Sequence, residues 1–379
     1  MKKLAKSLFV IVILFSAFGQ RSFSQSDEIL FRRHILLSGY NGLYYGLAFD
    51  YIFGVKDAAA AGLPVITAGT CALVPLLTNS SKTITSNQLL LTSHGQTLGW
   101  AHGFGLSCLI FGNNLFDSEA QSKITTGLAA GSSIGMGLIG RHLALTKDWS
   151  EGRVALYRHY GWVGPFTGFS IAASFSDDAR VFGAAIILGG ISGYYIADKV
   201  NDHHEFSRGS VRAIQVLSAF NTALGYCIFA DTETDDGDLS INRIGWLYPA
   251  IGAVSGTMVG QLVLKNMDLT PAQGMTSIYA AGGGALIGLG IALITNSDDF
   301  TPYYLIPYVT GVGAYGTALA LIKKNTVSGS SVDLQNGKRW NFSFMPQNLY
   351  LNNKIADMGY KYKGRQIGLQ PLFSASLTF

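Results

Sequence analysis

Charge is scarce in this 379-residue sequence. Asp, Glu, Lys and Arg make up 13% of it and hydrophobic residues 48%, against about a quarter charged in ordinary soluble domains. That scarcity excludes the charged outer face a soluble helix normally carries. Net charge is lacking as well. The formal +4 resides in Lys2, Lys3, Lys6 and Arg21, and beyond residue 24 there remain 27 − 4 = 23 basic against 23 acidic residues. Such a balance argues against a nucleic-acid partner. Cysteine is equally sparse: Cys71, Cys108 and Cys227 sit inside apolar runs, an odd number that makes no disulfide framework and reads as small buried hydrophobes.

The first 24 residues have the layout of a cleavable export signal. MKKLAK is basic, LFVIVILFSAF is an eleven-residue apolar core, and Ser22-Phe23-Ser24 supplies small residues before Gln25. The core is too short to span a bilayer comfortably. The expectation is export to the cell envelope, with residues 25–324 and 325–379 as two further regions.

What the chain has in abundance is glycine, 46 residues of it, and the glycines recur. Gly161, Gly164 and Gly168 repeat the spacing of Gly39, Gly42 and Gly46. Ser218, Asn221 and Gly225 keep it in weakened form, it recurs as Ala281, Gly284 and Gly288, and Gly99 and Gly103 keep the last two members. The middle positions 42, 99, 164, 221 and 284 are 57, 65, 57 and 63 residues apart, a period that marks an internal repeat. Upstream of the glycines, Thr85-Ser86-Asn87-Gln88 and Thr270-Pro271-Ala272-Gln273 are capping boxes, and Ser150 and Ser207 occupy the matching places. Each repeat therefore opens with a helix whose small residues form a stripe for close packing.

A second helix follows in each repeat. GMGLIGRHLA (135–144) and GVGAYGTALA (311–320) share G-x-G-x-x-G-x-x-x-A, GGISGYYIA (189–197) keeps most of it, and 251–264 a looser form. The first copy, roughly 57–78, is Ala-rich and interrupted by prolines. The expected fold is mainly α: five tandem helical hairpins, ten glycine-striped helices embedded in membrane, with a short β-rich C-terminal segment.

Uncharged runs at 244–264, 269–297 and 300–322 reach the roughly 20 residues that spanning requires. Interior glycine on this scale, about 1 kcal/mol each against Ala in water, also points to a bilayer, where exposed backbone is forbidden. The loops at the two hairpin ends differ in charge. Those leaving first helices hold twelve acids against four bases, and the opposite side thirteen bases against eight acids. A cleaved leader would place the basic side outside, against the positive-inside rule. Three placements fit: an inner-membrane protein of unusual topology, an outer-membrane protein, or a packed exported helical array.

Three strings carry chemistry elsewhere. Residues 253–260 resemble the G-x-S-G-x-x-x-G stretch of rhomboid intramembrane serine proteases, with Ala253 replacing the first Gly. Those enzymes place the partner histidine on a later helix, whereas all seven histidines here precede Ser255. Asp202-His203-His204-Glu205 is the densest group of metal-ligand types, but adjacent histidines need further ligands. The acidic loop 231–240 misses the calcium-loop pattern at its sixth and twelfth positions. The chain reads as non-enzymatic, with no cofactor and no metal. Arg153, Arg158, His159 and Arg212, in the first turns of first helices, are expected to form an interfacial polar collar, or, if those turns converge, an anion-facing vestibule.

In the tail, WNFSF (340–344), NLYL (348–351) and PLFSASLTF (371–379) read as strands. The last alternates Phe373, Ala375, Leu377 and Phe379, and resembles the terminal strand of bacterial outer-membrane β-barrels. The repeat region resembles glycine-rich tandem-hairpin proteins of bacterial envelopes. That resemblance implies a structural or scaffold role in contact with membrane lipid and other envelope proteins. A transporter or channel using the polar helix ends, and a soluble exported scaffold, are the other two readings.

Overall fold

The computed structural model describes residues 27–78, 84–232, 243–295, 297, 299–327, 339–344 and 373–378. The leader therefore lies outside the described residues, as do NLYL and most of the acidic loop. Ten α-helices are described: α1 Asp27–Phe53, α2 Asp57–Thr78, α3 Ser86–Phe111, α4 Glu119–Thr146, α5 Glu151–Phe175, α6 Ala179–His203, α7 Arg208–Thr232, α8 Leu247–Leu264, α9 Pro271–Thr295 and α10 Thr301–Val327. The chain divides into a unit ending at Leu321 and a second from Ile322 onward.

Local chemistry sets the helix starts. Thr85 accepts from the Gln88 backbone N–H while the Gln88 side chain accepts from the Thr85 N–H, and Thr270 with Gln273 repeats the pair. Ser150 accepts from the Arg153 N–H and Ser207 from the Ser210 N–H. These bonds satisfy donors that a helix start otherwise leaves open. Residues 57–78, read as interrupted, form one continuous helix containing Pro64 and Pro75.

Odd and even helices pair as antiparallel hairpins: α1 with α2, α3 with α4, α5 with α6, and α7 with α8. In the fifth, Gly284 and Gly288 of α9 face Thr310, Pro307 and Gly311 of α10. The hairpins then stack in chain order. Each odd helix touches the next odd helix, from α1 through to α9, and α1, α3 and α5 also touch the even helix of the following hairpin. The odd helices thus link one hairpin to the next. Half of the apolar window of α7 is buried, against 11% in α2 and 17% in α10.

The outside of the array is apolar. Leu77 is 81% exposed, Leu262 74% and Ile294 85%, with Leu138, Ile139, Leu188, Ile191 and Ile287 also exposed. Among the described residues six helices, α2 and α6 to α10, are long and apolar enough to cross a membrane. An exposed apolar surface of this extent is foreign to a soluble monomer, and the chain is a multi-span α-helical membrane protein.

The expected β-rich tail is corrected. Within the second unit the described strands are one antiparallel pair, β1 Arg339–Phe344 and β2 Phe373–Thr378, with Trp340 opposite Leu377 and Phe344 opposite Phe373. Among the described residues these two six-residue strands pair only with each other, and a membrane barrel takes at least eight. The fold is all-helical in architecture, and the likeness to a terminal barrel strand does not stand.

Candidate functional site: an arginine-lined rim

The repeat brings its small residues face to face with a partner backbone. Within the hairpins, a Cβ on Gly164 would collide with the Gly189 carbonyl, on Gly168 with that of Ala185, and on Gly225 with that of Tyr248. Gly99 lies against Ser132 and Ser133, Gly103 against Leu128 and Ala129, and Gly42 and Gly46 against Thr67. Gly39, at the end of its stripe, is looser: a Cβ added there would stand 3.3 Å from the Ala72 Cβ. Gly161 instead makes room for the rings of His94 and Tyr194, which bond to each other at 3.1 Å.

A second set of close approaches, unread in the sequence, joins one repeat to the next. Two residues past its cap, Gly152 of α5 lies under the carbonyl of Phe206, just ahead of the Ser207 cap. Gly209 of α7 stands in the same relation to Leu269 and Thr270. In α3 the equivalent residue is Asn87, whose amide donates to the Trp149 carbonyl at 2.6 Å. The helices α3, α5 and α7 therefore each seat the first turn on the connector leading into the next odd helix. The signal was present as glycines two places after Ser150 and Ser207.

This stepping gathers the first turns into one rim. The residue following each cap is Ser86, Glu151, Arg208 or Pro271. Arg208 donates to Ser86 Oγ at 3.0 Å and to Glu151 Oε2 at 2.9 Å, so one guanidinium joins α3, α5 and α7. Arg212, one turn deeper, donates to the Pro271 carbonyl at 3.2 Å. Arg158 lies two turns past Glu151, about 10 Å along the helix axis. Its Nε is buried and has no hydrogen-bond partner among the described residues. The charges bearing on Arg158 most strongly are those of Arg208 and of Arg33 on α1, and Arg33 acts on Arg212 as well.

The four residues expected at a collar are thereby divided. Arg158 and Arg212 converge on the rim, together with Arg33 and Arg208, which the sequence reading did not single out. Arg153 faces α6, paired with Asp198 and lying over Trp149 and Tyr157 at 5.4 and 6.0 Å. His159 is buried between α5 and α8, its Nε2 sharing a hydrogen bond of 2.9 Å with Thr257 Oγ1.

Ser255 donates to the Gly252 carbonyl of its own helix at 3.3 Å. Among the described residues no group of three or more His, Cys, Asp or Glu is placed to hold a metal. Asp231, at the edge of the acidic loop, accepts at 3.0 Å from both Thr301 and Tyr304, and residues 233–242 lie outside the described residues.

No family model, curated protein or solved structure matches the chain. The resemblance to tandem-hairpin envelope proteins is accordingly withdrawn. What stands is an all-α, multi-span array and its rim.

Proposed function

We propose that the protein is a non-enzymatic integral scaffold of the cell envelope, exported by its leader and held in the membrane by five glycine-packed hairpins. One observation carries this reading: the interior is spent on backbone-to-backbone contact at Gly99, Gly103, Gly164, Gly168, Gly225 and Gly284. Shape-matched helix faces of this kind serve association in lipid, where the hydrophobic effect between helices is absent. The even helices turn large apolar side chains outward, in keeping with lipid as the partner and with docking of other envelope proteins.

Alkaline carbonate extraction of membranes from expressing cells, followed by separation of inner from outer membrane, tests the proposal. The protein should stay in the pellet, shortened by its leader. Release by carbonate or salt would instead establish a soluble exported scaffold.

A further inference from the structure

Among the described side chains, the rim holds more positive charge than it neutralises. Arg208 is committed to Glu151 and Ser86, and Arg212 to the Pro271 carbonyl. Arg158 below them has no ion pair among the described residues, and its buried Nε donates to nothing. Arg158 as a whole is half-buried; a guanidinium does not shed its proton in a protein, and a donor closed off from water without an acceptor is costly. Something negative should complete the site. The first turns of α3, α5 and α7 also gather here, and the positive ends of their dipoles add to the field.

We infer that the rim is a binding site for a phosphate group, with Arg158 at its base and Arg33, Arg208 and Arg212 around it. Phosphate suits the site because a guanidinium fork presents paired N–H donors matched to two of its oxygens. A doubly charged oxyanion also offsets several arginines at once. The group can arrive as a free phosphorylated solute or as a phospholipid headgroup. This inference does not depend on the scaffold reading, since a scaffold and a transporter could each carry such a site.

The test is calorimetric titration of the full chain in maltoside micelles with inorganic phosphate and, separately, with a short-chain phosphatidylglycerol. At least one should bind, and Arg158→Gln should weaken it roughly tenfold or more, as loss of a charged hydrogen bond implies. Arg153→Gln, which alters a guanidinium paired with Asp198 away from the rim, should leave binding unchanged. Binding of phosphate alone assigns the site to a solute, binding of the lipid alone to a headgroup, and binding of both to the phosphate group itself. Absence of binding by either, or binding that survives Arg158→Gln, overturns the inference. Should Arg158→Gln fold poorly, Arg158→Met, which leaves neither a charge nor a polar group to satisfy, gives the same readout. Loss of the ligand-induced rise in melting temperature supports the site, and its retention overturns it.

Discussion

A glycine in this chain is either a contact or a bare patch of helix, and the two respond oppositely to the same substitution. Gly164 has the Gly189 carbonyl where a methyl group would go, whereas nothing lies within 4 Å of that position on Gly131. Gly164→Ala should destabilise by about 1–3 kcal/mol, the usual range for forcing an extra methyl group into a filled interface. Gly131→Ala should be neutral or stabilise by up to about 1 kcal/mol through helix propensity. Unfolding of both variants in micelles checks the pair; equal effects would mean the interhelical contact does not discriminate between them. Residue by residue, sequence spacing singled out Gly164 and Gly168 as repeat positions but could not separate Gly131, Gly135 or Gly283, which have open space around them, from glycines that meet a neighbouring backbone. That distinction depends on which neighbour faces each one. The same limit applied to the arginines, where Arg153 and Arg158 are alike in sequence and meet different partners.

Helix starts were the most legible elements, because a cap is a local bond between residues three apart. Thr85 serves only its own helix, accepting from the Gln88 N–H at 3.2 Å. Ser207 caps α7 and also donates to the Leu269 carbonyl at 2.7 Å, tying it to the following repeat. Thr85→Ala should therefore cost about 1 kcal/mol and Ser207→Ala visibly more, measured by the same unfolding assay. The prolines of α2 were the misleading elements. Pro64 lies against Gly46 and Pro307 against Gly288, and each is followed three residues later by a threonine, Thr67 or Thr310, that donates back to its own helix at 2.9 or 2.8 Å. In α8, Pro249 lies against Gly225. A proline opposite the last glycine of the stripe thus recurs in three of the five hairpins, and in membrane helices neighbouring hydroxyls and packed backbone tolerate it. Read one helix at a time, it looked like an interruption.

For the whole molecule, the hairpin pairing places the α3–α4 connection and the α6–α7 connection at opposite ends of the array. Ser118→Cys and His204→Cys should accordingly be labelled by a membrane-impermeant maleimide from opposite sides of sealed vesicles. Labelling of both from one side would exclude hairpins that cross. The uneven loop charges were readable from the sequence, and the structure gives part of them local work: Asp178 accepts from the Arg180 N–H at the start of α6, and Asp177 pairs with Arg243. Their convergence into an arginine rim was not readable, because it arises from the stacking of repeats that are about sixty residues apart.

The seating of each first turn on the connector ahead of it also bears on how the protein is made. Gly152 finds its carbonyl only when Phe206 has left the ribosome, and Gly209 waits for Leu269 and Thr270. A hairpin inserted during synthesis therefore stays open on its leading side until its successor arrives, and closure travels from the amino to the carboxyl end. Chains halted between repeats should show protease-sensitive first turns in the last completed hairpin alone, so the order of synthesis would be written into the order of locking.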